Sequence, residues 1–221
     1  LKNWSNFLKK EIEVKLEIAS ESVEKLLKCS FFSTKTARVE QKMLNNTYFD
    51  TSDWQLNKRR IALRVRDSDG RFIQTLKTKG ISEQGLHQRL EWEWDLQQPQ
   101  LDLSLLPQQH WPAAIAVGDL KALFTTNFSR QLWYFQHIDA NGVESSVEMA
   151  LDRGLVTADG VDQQLPICEL ELELLEGSAT ALIEIAAILT AQCPELRACD
   201  VSKAARGYQL LEQSNQSHEC D

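Results

Sequence analysis

The stretch Glu11–Ile18, EIEVKLEI, alternates charge and hydrocarbon without a break. In an extended chain Glu11, Glu13, Lys15 and Glu17 fall on one face and Ile12, Val14, Leu16 and Ile18 on the other, because successive strand side chains point to opposite sides. Occurring once, this would read as a surface strand with one face in water. The pattern returns at ICELELELL (Ile167–Leu175), with Glu169, Glu171 and Glu173 on one face. ALRVR and QTLKT carry Arg64, Arg66 and Lys77 in the same alternation. HQRLEWEWDL sets Arg89, Glu91, Glu93 and Asp95 opposite Leu90, Trp92, Trp94 and Leu96. A closed antiparallel barrel accommodates all of these faces, since inner and outer residues alternate along each of its strands. If helices cover the apolar outer face, the charged face lines the lumen. Such a lumen is too costly to leave dry and unpaired, so the pattern predicts a wet tunnel that holds a polyanion together with metal ions.

The rest of the chain supports an α+β fold, an eight-stranded antiparallel β-barrel with surrounding and C-terminal helices. SESVEKLLKCSFF predicts a helix capped by Ser20, with Val23, Leu26 and Leu27 on its apolar side. A polar connection then leads to a short strand at NNTYFDT, with Asn46, Tyr48 and Asp50 on one face. Asp69-Gly70 marks a hairpin turn between ALRVR and QTLKT. The segment from Gln97 to Phe124, with Pro99, Pro107 and Pro112, reads as loop with short helical pieces. Strands resume at FSRQLWYFQHI, return at SSVEMALDRGLVTA and end at ICELELELL. SATALIEIAAILTAQC and SKAARGYQLLEQS then carry helical periodicity. The reading divides the chain into an extension (1–10), one tunnel domain (11–212) and a tail (213–221).

At 221 residues the chain is long enough to bury a substantial core. Its net charge of −8 argues against a general nucleic-acid binder, whose footprint is basic, yet leaves room for a basic pocket that takes a small anion. No run approaches the roughly 18–20 apolar residues of a membrane-spanning helix. LKNWSNFLKK lacks the apolar core of a signal peptide, and the missing initiator Met reads as a processed or incompletely represented chain. The five cysteines, Cys29, Cys168, Cys193, Cys199 and Cys220, have no metal-ligand spacing and read as thiols in a reducing, cytoplasmic setting.

Residues i and i+2 of a strand lie about 7 Å apart on one face. Glu11 and Glu13 can therefore converge on one or two divalent ions, and carboxylates with water suit Mg²⁺ or Mn²⁺. Arg64, Arg66, Lys77 and Arg130 supply forks and point charges for phosphate oxygens. The combination suits phosphoryl transfer, where positioning and charge neutralisation carry most of the catalysis.

EIEVK resembles the ExExK signature of the CYTH superfamily, the triphosphate tunnel metalloenzymes. NTYFDT, ALRVR, QTLKT, GLHQRLEWEW, NFSR, ALDRG, ICELELEL and SKAARGY follow in order, so the resemblance runs from Glu11 to about Leu211. It is nearest to the bacterial inorganic triphosphatases. The resemblance implies a tunnel that hydrolyses inorganic triphosphate to diphosphate and phosphate with a divalent metal. It implies metal binding by Glu11, Glu13, Asp152, Glu169 and Glu171, and phosphate binding by Lys15, Arg64, Arg66, Lys77, Arg130, Lys203 and Arg206; Arg89 is read beside these as a further substrate-binding side chain. Glu169, Glu171 and Lys15 are the expected catalytic side chains. A two-residue slip between Glu171 and Glu173 keeps either acid inside. A homodimer, and a following CHAD domain in a longer native chain, fit the same resemblance.

Other readings compete with each of these. Glu91, Glu93 and Arg89 could be structural ion pairs within the tunnel. Trp92 and Trp94 read as outer-face packing and His87 as a rim hydrogen-bonding group. His110, His137 and His218 have no evident companions. A class IV-type adenylate cyclase shares the tunnel but needs a nucleoside pocket, for which no base-recognition constellation stands out. Thiamine triphosphate or a nucleoside triphosphate is an alternative substrate. A non-hydrolysing polyphosphate or nucleotide sensor is the rival of a different class, and it should not need Mg²⁺.

Overall fold

Eight long strands pair into a closed ring, and the register of that ring sets which side chains face inward. The computed structural model describes residues 7–34 and 38–218. The strands are β1 (Phe7–Glu17), β2 (Arg38–Thr51), β3 (Ala62–Ser68), β4 (Arg71–Lys77), β6 (Leu86–Leu96), β7 (Leu120–Ile138), β8 (Glu144–Thr157) and β9 (Leu165–Glu176). They hydrogen bond in the order β1-β9-β8-β7-β2-β3-β4-β6, and β6 pairs back to β1, every pairing antiparallel. Closure removes the sheet edges that an open sheet would leave unpaired. Two short strands, β5 (Ile81–Glu83) and β10 (Arg197–Ala198), attach to β6 and β1 outside the ring.

Sequence patterning locates the strands, while pairing sets their lengths. Asp69 and Gly70 both take positive φ, 53° and 83°, as a tight primed hairpin turn between β3 and β4 requires. The strand expected only over 45–51 begins at Arg38, and the one expected from Phe128 begins at Leu120. β2 and β7 extend each other, pairing from Arg38↔Tyr134 to Thr51↔Leu120, so a polar stretch and a proline-flanked one are both drawn into the ladder. The helix expected from Ser20 is broken into a 3₁₀ turn (Ser20–Ser22), α1 (Val23–Leu27) and α2 (Ser30–Thr34). Ala19 takes the cap position of that turn and no side-chain cap bond forms there. Helices α3 (Gln55–Lys58), α4 (Ala179–Gln192) and α5 (Lys203–His218) complete the fold. Ser178 caps α4 by accepting from the Thr180 amide. Among the described residues no helix is long and apolar enough to cross a membrane.

The apolar faces lie outside the ring. Val14, Leu16, Met149, Leu151, Leu170 and Leu172 of β1, β8 and β9 pack on Leu26 of α1 and on Leu182, Ile185 and Leu189 of α4. Leu63, Leu76, Trp92 and Trp94 pack under Leu106 and Ile115 of the segment that follows β6. Burial contributes about 1.5–3 kcal/mol for each such leucine, and this outer shell offsets the cost of a charged interior.

Helix α5 fills one end of the barrel. Its Tyr208 and Leu210 meet Tyr48, Phe124, Phe128, Val156 and Ile167 from the inner face. The Tyr208 hydroxyl donates to Asp50 Oδ2 at 2.7 Å, and Asp50 also accepts from the Leu56 and Asn57 amides. Gly207 lies so close to the Phe124 ring that an added Cβ would sit 2.0 Å from it.

Candidate active site

The inner face encloses a cavity of about 330 Å³. Its wall is built on cross-strand neighbours of opposite charge: Glu11↔Arg89, Lys77↔Glu91 and Lys15↔Glu171, with Arg130 on the wall and its partner Asp152 behind it. Arg130 links its own pair to Lys15↔Glu171 by also reaching Glu171, and Asp152 faces Glu169 on β9. Directly opposed residues approach closely enough for side-chain bonds, so alternation within strands becomes two ion networks across them.

The first network joins β1, β4 and β6. Glu11 accepts from Lys77 Nζ at 2.6 Å and from Arg89 Nε at 2.6 Å. Arg89 reaches Glu13 at 3.1 Å and Lys77 reaches Glu91 at 3.0 Å. Burial alone would raise the Glu11 carboxyl, but the charges of Lys77 and Arg89 outweigh it and hold it below the usual range. Glu91 goes the other way. Burial pushes it up; Lys77 opposes the shift, and the nearby Glu11 and Glu93 reinforce it.

The second network joins β1, β7, β8, β9 and α5. Arg130 forks onto Asp152 with bonds of 2.7 and 2.6 Å and also donates to Glu171. Lys203 Nζ contacts Asp152 at 2.6 Å, Glu171 at 2.9 Å and Glu169. Lys15 Nζ lies 3.1 Å from Glu171, 3.6 Å from Glu169 and 4.0 Å from Glu13. Burial would strip a proton from either lysine, yet the surrounding carboxylates keep both ammonium groups charged well beyond the ordinary pH range. Asp152, Glu169 and Glu171 each place an oxygen within 4.8 Å of the others. An all-oxygen, carboxylate-rich set of that size fits a hard divalent cation.

A third group on the wall is cationic. Arg64, Arg66 and Arg130 all line the cavity. Arg66 Nε donates to Asn46 Oδ1 at 2.9 Å; against the upward push of burial, its charge, with that of Arg64, holds the Glu93 carboxyl below its ordinary value. Burial, then the charges of Arg64 and Arg130, push Arg66 down to about 10. Arg64 Nε is buried without a hydrogen-bond partner.

The structure thus brings Glu11, Glu13, Lys15, Arg64, Arg66, Lys77, Arg89, Arg130, Glu171 and Lys203 to one cavity wall. Asp152 and Glu169 are fully buried behind that wall. Arg206 does not reach the cavity and is bound to Glu169 at 3.3 Å and Glu17 at 3.6 Å. Between the two candidate acids of β9, Glu171 joins the second network through Lys15, Arg130 and Lys203, while Glu173 sits opposite Glu13 and Glu148. His87 Nε2 lies 3.0 Å from the Cys199 carbonyl. His137, read as having no companion, contacts Glu184 at 2.8 Å, and His110 packs on Trp92. Sequence reasoning passed over Tyr48 as a site residue. It lines the cavity, and although burial would raise its phenol, the charge and hydrogen bond of Arg64 bring it below the ordinary value. Its place beside Asn46 on the inner face of β2 was the available signal.

A closed antiparallel barrel with a lumen of paired acids and bases defines the class. The chain belongs to the CYTH domain family, whose sequence pattern matches residues 9–208. It is 31% identical over 211 residues to the inorganic triphosphatase of Haemophilus influenzae, covering 93% of this chain and 56% of that protein. The chain therefore spans about half the length of that curated relative. Among solved structures it resembles HpAC1 from Hippeastrum, an adenylyl cyclase candidate described as having a dominant triphosphatase activity, with TM-score 0.63 and 22% identity over 90% of this chain and 95% of that one. An adenylate cyclase candidate from Bacillus halodurans aligns with TM-score 0.56 and 23% identity, covering 90% of this chain and 97% of its own. These two likenesses bear on the fold.

Proposed function

We propose that this protein hydrolyses inorganic triphosphate to diphosphate and phosphate with the help of Mg²⁺ or Mn²⁺. The observation that carries the reading is Arg66. It is a half-buried guanidinium lining the cavity beside Arg64 and Arg130, hydrogen bonded to Asn46 and opposed by the charge of Glu93 without a close ion pair. Half-burying a cation in that way is costly unless an anion completes the site. The name of the Haemophilus influenzae relative, an inorganic triphosphatase 31% identical to this chain, supports the same substrate class.

In this reading Arg64, Arg66 and Arg130 grip phosphate oxygens, with Lys77 as a point charge at the next position along the wall. Asp152, Glu169 and Glu171 would hold a divalent ion, with Glu11 and Glu13 as a second carboxylate pair. A bound Mg²⁺ or Mn²⁺ would supply charge neutralisation at the phosphate oxygens. Lys15, fixed by the ladder and kept charged by its carboxylates, contributes a positive point that needs no reorganisation during reaction. Proton acceptance from the attacking water falls to a lumen carboxylate. Glu169 and Glu171 are the first to test, and Glu91, with its raised affinity for a proton, joins them. The four described cysteines are free thiols, in keeping with a reducing, cytoplasmic setting.

The test is phosphate release from inorganic triphosphate, ATP and thiamine triphosphate, with cyclic AMP measured beside the ATP reaction. Triphosphate should be the preferred substrate. Cyclic AMP without phosphate release would move the protein to the cyclase reading. Tight triphosphate binding without turnover under either metal would make it a sensor.

A further inference from the structure

Lys203 stands where a metal ion would stand. Its ammonium nitrogen touches one oxygen from each of Asp152, Glu169 and Glu171, the three carboxylates whose oxygens cluster within 4.8 Å. Among the described residues no other cation contacts all three. Arg130 reaches Asp152 and Glu171, Lys15 reaches Glu169 and Glu171, and Arg206 reaches Glu169. Three carboxylates therefore face four cations, of which Lys15 and Arg206 also reach Glu13 and Glu17. With the charges already balanced in this way, a divalent ion added without losing a cation would leave positive charge in excess.

The four cations differ in how they are held. The Lys15 backbone is fixed mid-strand by bonds to Gly85 and Cys199, with its side chain 2% exposed, and Arg130 lies within the long β7 ladder. Lys203 is the first residue of α5, and the two residues before it belong to no helix or strand. It also borders the cavity, with its ammonium 4.9 Å from the centre of the Phe128 ring. Rotation about its side-chain bonds carries the charge from the acid triad into the tunnel, where the phosphates of a substrate would lie.

We propose that the Lys203 ammonium is a built-in stand-in for the metal: it neutralises Asp152, Glu169 and Glu171 in the empty tunnel and is displaced into the cavity when a divalent ion binds. Metal and Lys203 compete for one seat. Substrate favours the exchange, because its phosphates receive the expelled ammonium, so metal and triphosphate each strengthen the other's binding. The inference rests on the metal-dependent reading above only for the presence of a metal.

Its test reads metal affinity rather than turnover. Mn²⁺ is titrated calorimetrically, without substrate, into the whole chain, K203M, K203R and the double variant D152N/K203M. Removing the competitor should tighten Mn²⁺ binding by about tenfold or more, within the range of ordinary coupling between sites. K203R, which keeps the charge, should bind no tighter than the unaltered protein, and D152N/K203M should lose the gain. Unchanged or weaker binding in K203M overturns the exchange, even if the protein hydrolyses triphosphate. A gain in K203M stands even if triphosphate is not the substrate. A second measurement needs no variant: reductive methylation of lysines, read by mass spectrometry, with chelator or with Mn²⁺. Lys203 should label faster with Mn²⁺ while the ladder-bound Lys15 does not change. Equal labelling of Lys203 in the two states contradicts the proposal.

Discussion

Replacing Asp152 by Asn removes one charge from the second network and almost no volume. Asp152 is fully buried, and its two oxygens accept from Arg130 at 2.7 and 2.6 Å and meet Lys203 at 2.6 Å. The amide that replaces it must point an N–H₂ group at one of these cationic donors. Breaking a buried pair by neutralising one partner costs roughly 3–5 kcal/mol. Here both cations keep other acids, Glu171 for Arg130 and Glu169 with Glu171 for Lys203, which places the loss near the lower bound. We expect D152N to lose about 3 kcal/mol in chelator, corresponding to a fall in Tm of roughly 6–12 °C for a domain of this size. Urea unfolding should show a lower midpoint with an unchanged slope. Because the site is buried, high salt should not remove the difference. A loss below about 1 kcal/mol would mean that the network is solvated and energetically like a surface pair, and the account of the lumen would be wrong.

The other predictions concern Arg66, acid and helix α5. R66M should cut triphosphate turnover by about 100-fold or more while changing stability little, because Arg66 is half-buried, makes no close ion pair and sits among other cations. A parallel fall in midpoint would show that Arg66 is structural. The carboxyls of Glu11 and Glu171 are held below their usual range, so they bind protons less readily folded than unfolded. Their stabilisation is present above the ordinary glutamate value near 4.5 and is lost as pH falls below it. Glu91 is shifted the opposite way and offsets part of this, its contribution being present at low pH and lost as pH rises through its raised value. Urea midpoints in chelator should therefore drop steeply below about pH 4.5, and a flat profile would contradict the pairing. G207A should push α5 off the Phe124 ring, costing about 1–3 kcal/mol by overpacking, with a midpoint equal to that of the unaltered protein as the contrary result.

Much of this was legible because a strand's period of two is a strong signal. Glu11, Glu13 and Lys15 point inward for the same reason that Val14 and Leu16 meet α4, and Trp92 and Trp94 pack outside as their alternation with Glu91 and Glu93 requires. Pairing partners were not legible. Nothing local to Glu11 says that it faces Arg89, or that Asp152 faces Arg130; those contacts come from ring closure and register. Strand ends were misjudged where the ladder recruits weak sequence, as at Arg38–Leu44 and Leu120–Asn127. Ser20–Thr34 is short for one helix held by periodicity alone, and it runs as a 3₁₀ turn and two five-residue helices, with no side-chain cap at Ala19 or Ser22. The central place of Lys203 also lay beyond pattern reading. Its spacing from Arg206 suggested a shared basic face, yet only the fold turns Lys203 toward three carboxylates while Arg206 stays with Glu169 and Glu17.

The most direct test of the central claim is the rate of phosphate release from inorganic triphosphate by the protein and by E11Q/E13Q, each with Mg²⁺, Mn²⁺ or chelator. The account predicts release that requires metal and is lost in the double variant while the barrel stays folded. Release that persists in chelator, or that survives E11Q/E13Q undiminished, would contradict a metal-dependent catalytic tunnel.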